Sequence, residues 1–358
     1  MTERRVDSVS QDLNDRCSSI AQAWAKTTFP DTGASAQTEG DFSHAVLTPS
    51  GPIAITSDGI GTKVEIAERM SRYDTLGFDL VAMVVDDLVA GSARPMALSN
   101  ILDVDRFDEE IVDALMKGLA AAARTAGVIV AGGEIAQLGQ RISGYGNQMH
   151  VNWCATAIGV PLSRIAAADR PPRSGDRVVA LASDGFRSNG FTLARSILET
   201  HLGEAWHNAS SSTGMTWGDC LLTPSRIYAP AIMRAVEERI PILACAHITG
   251  GGIPGNLPRV LPKDARLRVE LDDLWPPHSA MRELMQMSDI APQALYEQWN
   301  MGSGFICIVP PDVADEMIAV MQCSGVRARV AGSLMTGEGI HIDARSWGMG
   351  ELHFGGQG

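Results

Sequence analysis

The sequence predicts a two-domain α/β protein, and three observations carry that prediction. At 358 residues the chain is longer than one hydrophobic core comfortably serves. Twice, a short apolar strand runs into a glycine turn and a helical stretch: Pro52–Ser57 before Asp58, and Val178–Ala182 before Ser183–Gly190. Between these halves lies Arg164–Asp176, rich in proline, glycine and charge, which reads as a boundary separating residues 1–165 from 172–345.

The elements follow in order. The first 50 residues are polar, with one helix expected around Leu13–Ala25 and a loop, Thr32–Phe42, that reads as a linker or a lid. Pro52–Ser57 is a predicted buried strand ending at Asp58. Over Gly77–Gly91, Leu80, Met83, Val84 and Leu88 share a helical face. Asp87 falls on that stripe, where a carboxylate has to be paired or metal-bound because burying it alone is costly. Asp86, turned by about 100°, is expected to face outward. Asp108 is an N-cap followed by acids, starting a helix through Ile111, Leu115 and Leu119 that stops at Gly127. Val128–Ala131 reads as a short buried strand with Gly132, Gly133 and Glu134 at its C-terminal end, where α/β proteins usually bind ligands. Val151–Val160 is another strand. Past the boundary, a helix is expected from Thr192, a proline-started helix at Leu222–Tyr228, a buried strand at Ile240–Ala246 and a turn at Asn300–Gly304.

Composition narrows the class of function. A hydrophobic content of 45% with mean hydropathy near zero describes a globular chain. A formal net charge of −13 argues against nucleic-acid or anionic-membrane partners, but a metal ion and a few local cations can still admit an anionic small molecule. The six cysteines are scattered without a C-x-x-C pair, which favours reduced thiols and a cytoplasmic setting. The start, MTERRVDSVSQDLNDR, lacks the apolar run of a signal peptide, and the apolar stretches near Leu115–Val130 and Ile240–Ile248 are too short or too charged to span a bilayer.

Three acidic segments suggest a divided site for a divalent metal and a phosphate: Ser57-Asp58-Gly59-Ile60-Gly61-Thr62-Lys63, Asp86-Asp87 and Gly132-Gly133-Glu134. A hard cation such as Mg2+ takes carboxylate and phosphate oxygens, and glycines let backbone amides approach a phosphate closely. The first segment reads either as an ordinary turn with a solvated lysine or as a metal and phosphate loop. It lacks the G-x-x-x-x-G-K-[ST] pattern of a Walker loop. His247-Ile248-Thr249-Gly250-Gly251-Gly252, with Asn256 to Arg259, forms a second centre whose glycines imply tight packing against a ligand or another strand. His247 taken alone reads first as a satisfied structural histidine.

In order and approximate spacing these segments, together with Ser188-Asn189-Gly190, Leu222–Tyr228 and Asn300–Gly304, resemble the phosphoribosylformylglycinamidine cyclo-ligase (aminoimidazole ribonucleotide synthetase) family over roughly residues 50 to 335. The resemblance implies a fold of an N-terminal mixed sheet, whose strands join those of a second copy in a dimer barrel, and a C-terminal α/β sandwich domain. It implies a homodimer that uses ATP and Mg2+ on a small-molecule ribonucleotide. The formamide oxygen of formylglycinamidine ribonucleotide is activated as a phosphate ester, an internal nitrogen attacks that carbon, phosphate leaves and the imidazole ring closes, with bound geometry supplying proximity. By position, Asp58, Asp87 and Glu134 are metal candidates, and with Gly59, Gly61, Thr62, Lys63, Gly132 and Gly133 they are nucleotide candidates. Ser188, Asn189, Gly190, Arg226, Thr249, Gly250, Gly251 and Asn300 are substrate candidates. Lys63, Arg187 and His247 are the catalytic candidates.

The departures from the family pattern fall mostly on the substrate side. The usual S-S-G-x-H-S-N-G is Ser183-Asp184-Gly185-Phe186-Arg187-Ser188-Asn189-Gly190, V-N-D is Val85-Asp86-Asp87, and the stretch after Gly132-Gly133-Glu134 becomes Ile135-Ala136-Gln137. Arginine cannot shuttle protons as histidine does, but it can grip a phosphate or carboxylate with two prongs. A paralogue using the same ATP chemistry on another amide or carboxylate is therefore the alternative activity. A non-catalytic nucleotide-binding homologue is the third reading, against which the retained acids count.

Overall fold

The computed structural model describes residues 8–28, 35–37, 42–162 and 170–355. Helix α1 (Ser8–Lys26) covers the expected N-terminal helix. Six strands form the first sheet: β1 (Ser35–Gln37), β2 (His44–Thr48), β3 (Gly51–Gly59), β4 (Ala93–Val104), β5 (Ile129–Gln137) and β6 (Val151–Pro161), in the order β1-β2-β3-β6-β4-β5. Only β4 and β5 run parallel. Of the expected loop at 32–42, residues 35–37 pair with β2 as an edge strand, while 32–34 and 38–41 lie outside the described residues. Of the expected boundary at 164–176, residues 164–169 lie outside them as well.

Between these strands come α2 (Lys63–Met70), α3 (Leu76–Ala90) and α4 (Glu109–Ala126). The Asp108 carboxylate accepts from the N–H groups of Glu110 and Ile111, and Gly127 closes α4 with a φ of 69°, as its sequence position requires. Helices α3 and α4 cover one face of the sheet, burying Trp153, Ala155 and Ala157 of β6. The opposite face carries Val46, Ile53, Ile55, Ile101 and Ile158, all exposed, with Ile55 directly opposite Ile158. Alternation along β6, and less regularly along β3, produces this division.

Two strand expectations are corrected here. Pro52–Ser57 is not buried throughout, because every second side chain of β3 points to the uncovered face. β5 is an exposed edge strand, and it runs on to Gln137, so Gly132–Glu134 lie within it and not beyond its end.

The second sheet contains β7 (Arg177–Ala182), β8 (Ala244–His247), β9 (Leu267–Leu271), β10 (Ser303–Val309), β11 (Ala328–Thr336), β12 (Gly339–Asp343) and β13 (Glu351–Phe354), in the order β13-β12-β9-β11-β7-β10-β8. All pairs are antiparallel except β12 with β9. After β7 the Ser183–Gly190 turn leads into α5 (Phe191–Leu202), close to the expected start. Residues 223–228 form neither helix nor strand, and the helix expected there begins only at Ala229. Helix α3 touches the first sheet on one side and β8 and the Ala229–Glu237 helix on the other. It is therefore buried all round, which is why its sequence is apolar beyond a single stripe.

Candidate active site

Three acids interrupt α3, and each is answered from the second half of the chain. Asp79 and Asp86 are seven residues apart, so they share one side of the helix. Asp79 accepts from Lys63 Nζ at 2.7 Å, from the Ser225 N–H at 3.0 Å and from Ser225 Oγ at 2.5 Å. Asp86 Oδ1 accepts from the N–H groups of Tyr228 and Ala229 at 2.8 and 2.9 Å, and its Oδ2 from Arg187 Nη2 at 3.0 Å. The N–H groups of Ser225 and Tyr228, in a segment without regular secondary structure, are thus spent on buried carboxylates. Asp86 is fully buried and does not face outward as helical periodicity suggested, because the second half covers that side of α3.

Arg187 holds a left-handed φ of 63°, a conformation that costs energy for a side chain of its size. Its anchors explain how it persists. Besides Asp86 it donates to the Arg226 carbonyl at 2.7 Å, lies over the Tyr228 ring at 4.9 Å, and meets His247 Nε2 at 2.7 Å. Arginine can only donate, so His247 Nε2 accepts and the imidazole proton sits on Nδ1. That proton is given to Asp87 Oδ1 at 2.8 Å. Burial, and then the charge of Arg187, hold His247 down at about 3, so the ring stays neutral.

The three catalytic candidates are consequently interior groups. Lys63 is fully buried, donating to Asp79 and to the Thr223 carbonyl at 2.7 Å, so it does not stand free to neutralise a phosphate. The two-pronged grip expected of Arg187 is used on Asp86 and the Arg226 carbonyl. His247 connects Arg187 to Asp87 beneath the cleft and positions the carboxylate.

Asp58 and Asp87 do come together. Asp58 ends β3 and accepts from the Gly59 N–H at 2.7 Å. Burial pushes Asp58 up to about 6 against that hydrogen bond, with the charge of Asp87 adding to the rise. Burial likewise pushes Asp87 up to about 7, opposed by the charges of Arg259 and Arg187. Two dehydrated carboxylates, one of them raised further by the charge of the other, are a fit for a divalent cation, whose charge would reverse both shifts.

The glycine turn beside Asp58 meets the second half of the chain. Gly61 lies against the Ser188 carbonyl, and Thr62 Oγ1 is 3.4 Å from Thr192 Oγ1. Ser188 Oγ and Asn189 Oδ1 are buried without a hydrogen-bond partner, an unusual cost unless a ligand uses them. Gly190, with φ 76°, packs so closely that a Cβ would stand 2.2 Å from the Trp299 ring. Gly250 neighbours the Asn189 amide, and Asn256 Nδ2 donates to the Gly250 and Gly252 carbonyls at 3.1 and 2.8 Å, fixing the turn of Thr249, Gly250 and Gly251. The Ser188–Gly190 and Thr249–Gly251 candidates therefore line one place.

Other candidates sit elsewhere. Asn300 is buried, donating to the Gly185 carbonyl and accepting from the Gly302 N–H, which braces the Ser183–Gly190 loop from behind. Arg226 pairs with Asp184 at 2.7 Å and donates to the Gly325 carbonyl. Asp58 stands in register with Ala155, Asn100 and Gly133 in turn, which puts Gly133 three strands away, ~14 Å at ~4.8 Å per strand. Glu134, one residue on, pairs with Ile101 and so lies on the exposed apolar face, with Gly132 close by in the same edge strand. Glu134 does not join Asp58 and Asp87 within one chain, because it occupies the face of the sheet opposite the helices.

Sequence reasoning missed Asp79 and gave Ser225 no role of its own. The seven-residue spacing of Asp79 and Asp86 within an apolar helix was the available signal. Arg259, whose charge acts on Asp87, lies over the Phe42 ring at 4.0 Å and donates to Asn256 Oδ1 at 3.1 Å.

Residues 42–160 match the N-terminal domain of the family described as AIR synthase related protein, and residues 173–344 match its C-terminal domain. A phosphoribosylformylglycinamidine cyclo-ligase of Methanothermobacter thermautotrophicus is 37% identical over 305 residues, 85% of this chain and 86% of its own. Among solved structures, the HypE–HypF complex aligns at a TM-score of 0.61 and 17% identity, covering 90% of this chain and 95% of that one. The hydrogenase maturation protein HypE in complex with ATP aligns at 0.54 and 17% identity, covering 87% of each chain. The two matched domains, one on each sheet, and the shared fold leave one assignment: the chain belongs to the AIR synthase related protein family.

Proposed function

We propose that the protein is an ATP-dependent cyclo-ligase converting formylglycinamidine ribonucleotide to aminoimidazole ribonucleotide, with ADP and phosphate as the other products. The observation that carries this reading is the pair of buried carboxylates, Asp58 and Asp87, the first beside a glycine turn and raised by the charge of the second, in a chain 37% identical to a cyclo-ligase. Asp58 and Asp87 would hold Mg2+, which when bound supplies charge neutralisation for the nucleotide phosphates. His247 donates to one oxygen of Asp87 and leaves the other for the cation. Ser188 and Asn189 offer the substrate polar atoms that have no partner inside the protein, and the Thr249–Gly251 turn closes the same wall. Residues 1–165 would supply the metal and nucleotide side, residues 172–345 the substrate side.

The test is a coupled assay of purified protein with ATP, Mg2+ and formylglycinamidine ribonucleotide. ADP and aminoimidazole ribonucleotide forming in equal amounts is the expected result; bound ATP without ring formation sinks it. A second reading, the same activation applied to another amide or carboxylate, is supported by Arg187 and Asp86, which occupy positions where the family pattern has histidine and asparagine.

The working form we propose is a cytoplasmic homodimer. Among the described residues no helix is long and apolar enough to cross a membrane. The uncovered face of the first sheet, with Ile53, Ile55, Ile101 and Ile158, is the kind of apolar surface that a second copy would bury. Glu134 stands on that face and would then lie at the interface. Sedimentation is expected to show a dimer for the parent protein and a monomer for Ile55→Glu/Ile158→Glu; a monomeric parent would remove the interface.

A further inference from the structure

The edge of the second sheet opposite β8 carries a row of metal-ligating side chains that the cleft does not use. Register sets the row: His341 of β12 stands opposite His353 of β13 on one side and Glu270 of β9 on the other. Glu351, two residues before His353, points to the same face. The two imidazoles stack with centroids 4.7 Å apart and planes 17° apart.

The hydrogen bonds prepare one nitrogen. Glu270 Oε2 lies 2.6 Å from His341 Nδ1, and a carboxylate only accepts, so Nδ1 carries the proton of this bond and Nε2 is the ring atom left for a ligand. That Nε2 is buried and has no hydrogen-bond partner. The nearest acidic oxygen, Glu351 Oε2, is 3.9 Å away, too far for a hydrogen bond. Arg345 holds the other Glu351 oxygen at 3.1 Å, and Arg268 holds the other Glu270 oxygen at 2.5 Å, so neither carboxylate is loose. His341, Glu351 and His353 each offer a ligand atom, all within 4.8 Å of one another.

We infer that His341, Glu351 and His353 form a site for a divalent transition metal of the zinc class, with Glu270 fixing the tautomer and direction of His341. Two imidazoles and a carboxylate suit Zn2+, Ni2+ or Cu2+; Mg2+ prefers an all-oxygen set. A tetrahedral zinc with bonds of ~2.0–2.1 Å sets its ligand atoms ~3.3 Å apart, so the 3.9 Å Glu351–His341 gap closes with a shift of roughly half an ångström and a pair at the 4.8 Å limit with roughly 1.5 Å. Glu270 on the far ring nitrogen is the outer partner such sites use to orient a histidine. The fourth position is left to water. Because the cleft lies at the opposite edge of the sheet, the ion takes no part in the reaction; it ties β13 to β12 and, through Glu270, to β9.

The test is calorimetric titration of EDTA-treated full-length protein with ZnCl2, in excess Mg2+ to saturate the cleft carboxylates. One Zn2+ per chain is expected for the parent protein and none at that site for His341→Ala/His353→Ala. Glu270→Gln, which leaves all three ligands, is expected to weaken binding about 10- to 100-fold. His353 is exposed, so His353→Ala keeps the fold and the turnover of the cleft, and it too is expected to lose the ion. Zinc bound by the double variant with parental stoichiometry and affinity overturns the site, as does a parent protein that binds none at micromolar Zn2+. Visible absorption of the Co2+-loaded parent, absent in His353→Ala, would support histidine ligation.

Discussion

Asp87→Asn is expected to lower ATP turnover by about 10²- to 10³-fold while making the cation-free protein more stable at pH 8. The two effects share one cause. Burial raises Asp87 to about 7 in the folded chain, against an ordinary 3.8. A carboxyl raised on folding is protonated in the folded state while still ionised in the unfolded one, so stability falls as pH climbs from about 4 to about 7. Above that window the folded protein carries an unfavourable buried charge, and asparagine removes it while its Oδ1 can still accept from His247 Nδ1. The stability advantage of Asp87→Asn should therefore be largest at pH 8 and shrink as pH falls toward 4. Saturating Mg2+ at pH 8 should stabilise the parent protein and not the variant, because a cation binding only the folded form adds stability by mass action. Thermal melts with EDTA or Mg2+, run at pH 8 and pH 5 beside an ATPase assay, read all of this. Retained turnover would take Asp87 out of the site; an advantage independent of pH would mean that Asp87 is not the group whose charge burial opposes folding.

The sequence made the skeleton of this arrangement legible where a local rule was sufficient. The Asp108 cap, the Gly127 stop and the strand–turn–helix at Val178–Thr192 follow from chemistry within a few residues. Asp87 was legible because an acid on an apolar stripe requires a partner. Asp86 was misplaced because helical periodicity describes one helix against one surface, whereas α3 is enclosed by two. Glu134 was misplaced for a related reason. A Val-Ile-Val-Ala run reads as a buried strand, but apolar residues at the edge of a sheet can equally face an uncovered side, and the sequence does not say which edge a strand takes. The roles expected of Lys63 and Arg187 followed from the family resemblance and from their charge. Their actual partners, Asp79 and Asp86, lie 16 and 101 residues away, beyond the reach of any local pattern.

Those distant partners make the two departures from the family pattern a single change. Where the pattern has asparagine and histidine, this chain has Asp86 and Arg187, opposite charges 3.0 Å apart and fully enclosed. Arg187→His alone leaves Asp86 without its cation and should cost about 3–5 kcal/mol, as should Asp86→Asn alone, which strands the guanidinium. Asp86→Asn/Arg187→His restores a neutral pair and should be closer to the parent than either single variant, with a coupling of about 1–3 kcal/mol in a double-mutant cycle. Additive losses would mean that the two positions do not act as a unit. The same variants separate structure from specificity. Arg187 reaches the cleft only through His247 and the Ser188–Gly190 loop that follows it, so exchanging the pair should alter the KM for the ribonucleotide substrate while leaving the KM for ATP near its parental value. A double variant that is stable but gains turnover on formylglycinamidine ribonucleotide would identify the Asp86–Arg187 pair as what turned this chain toward another substrate. One that is stable and unchanged on both substrates would make the pair an alternative way of bracing the same loop. Asp184 and Arg226, joined at 2.7 Å beside it, would then be the next pair to exchange, because Asp184 too replaces a neutral residue of the pattern.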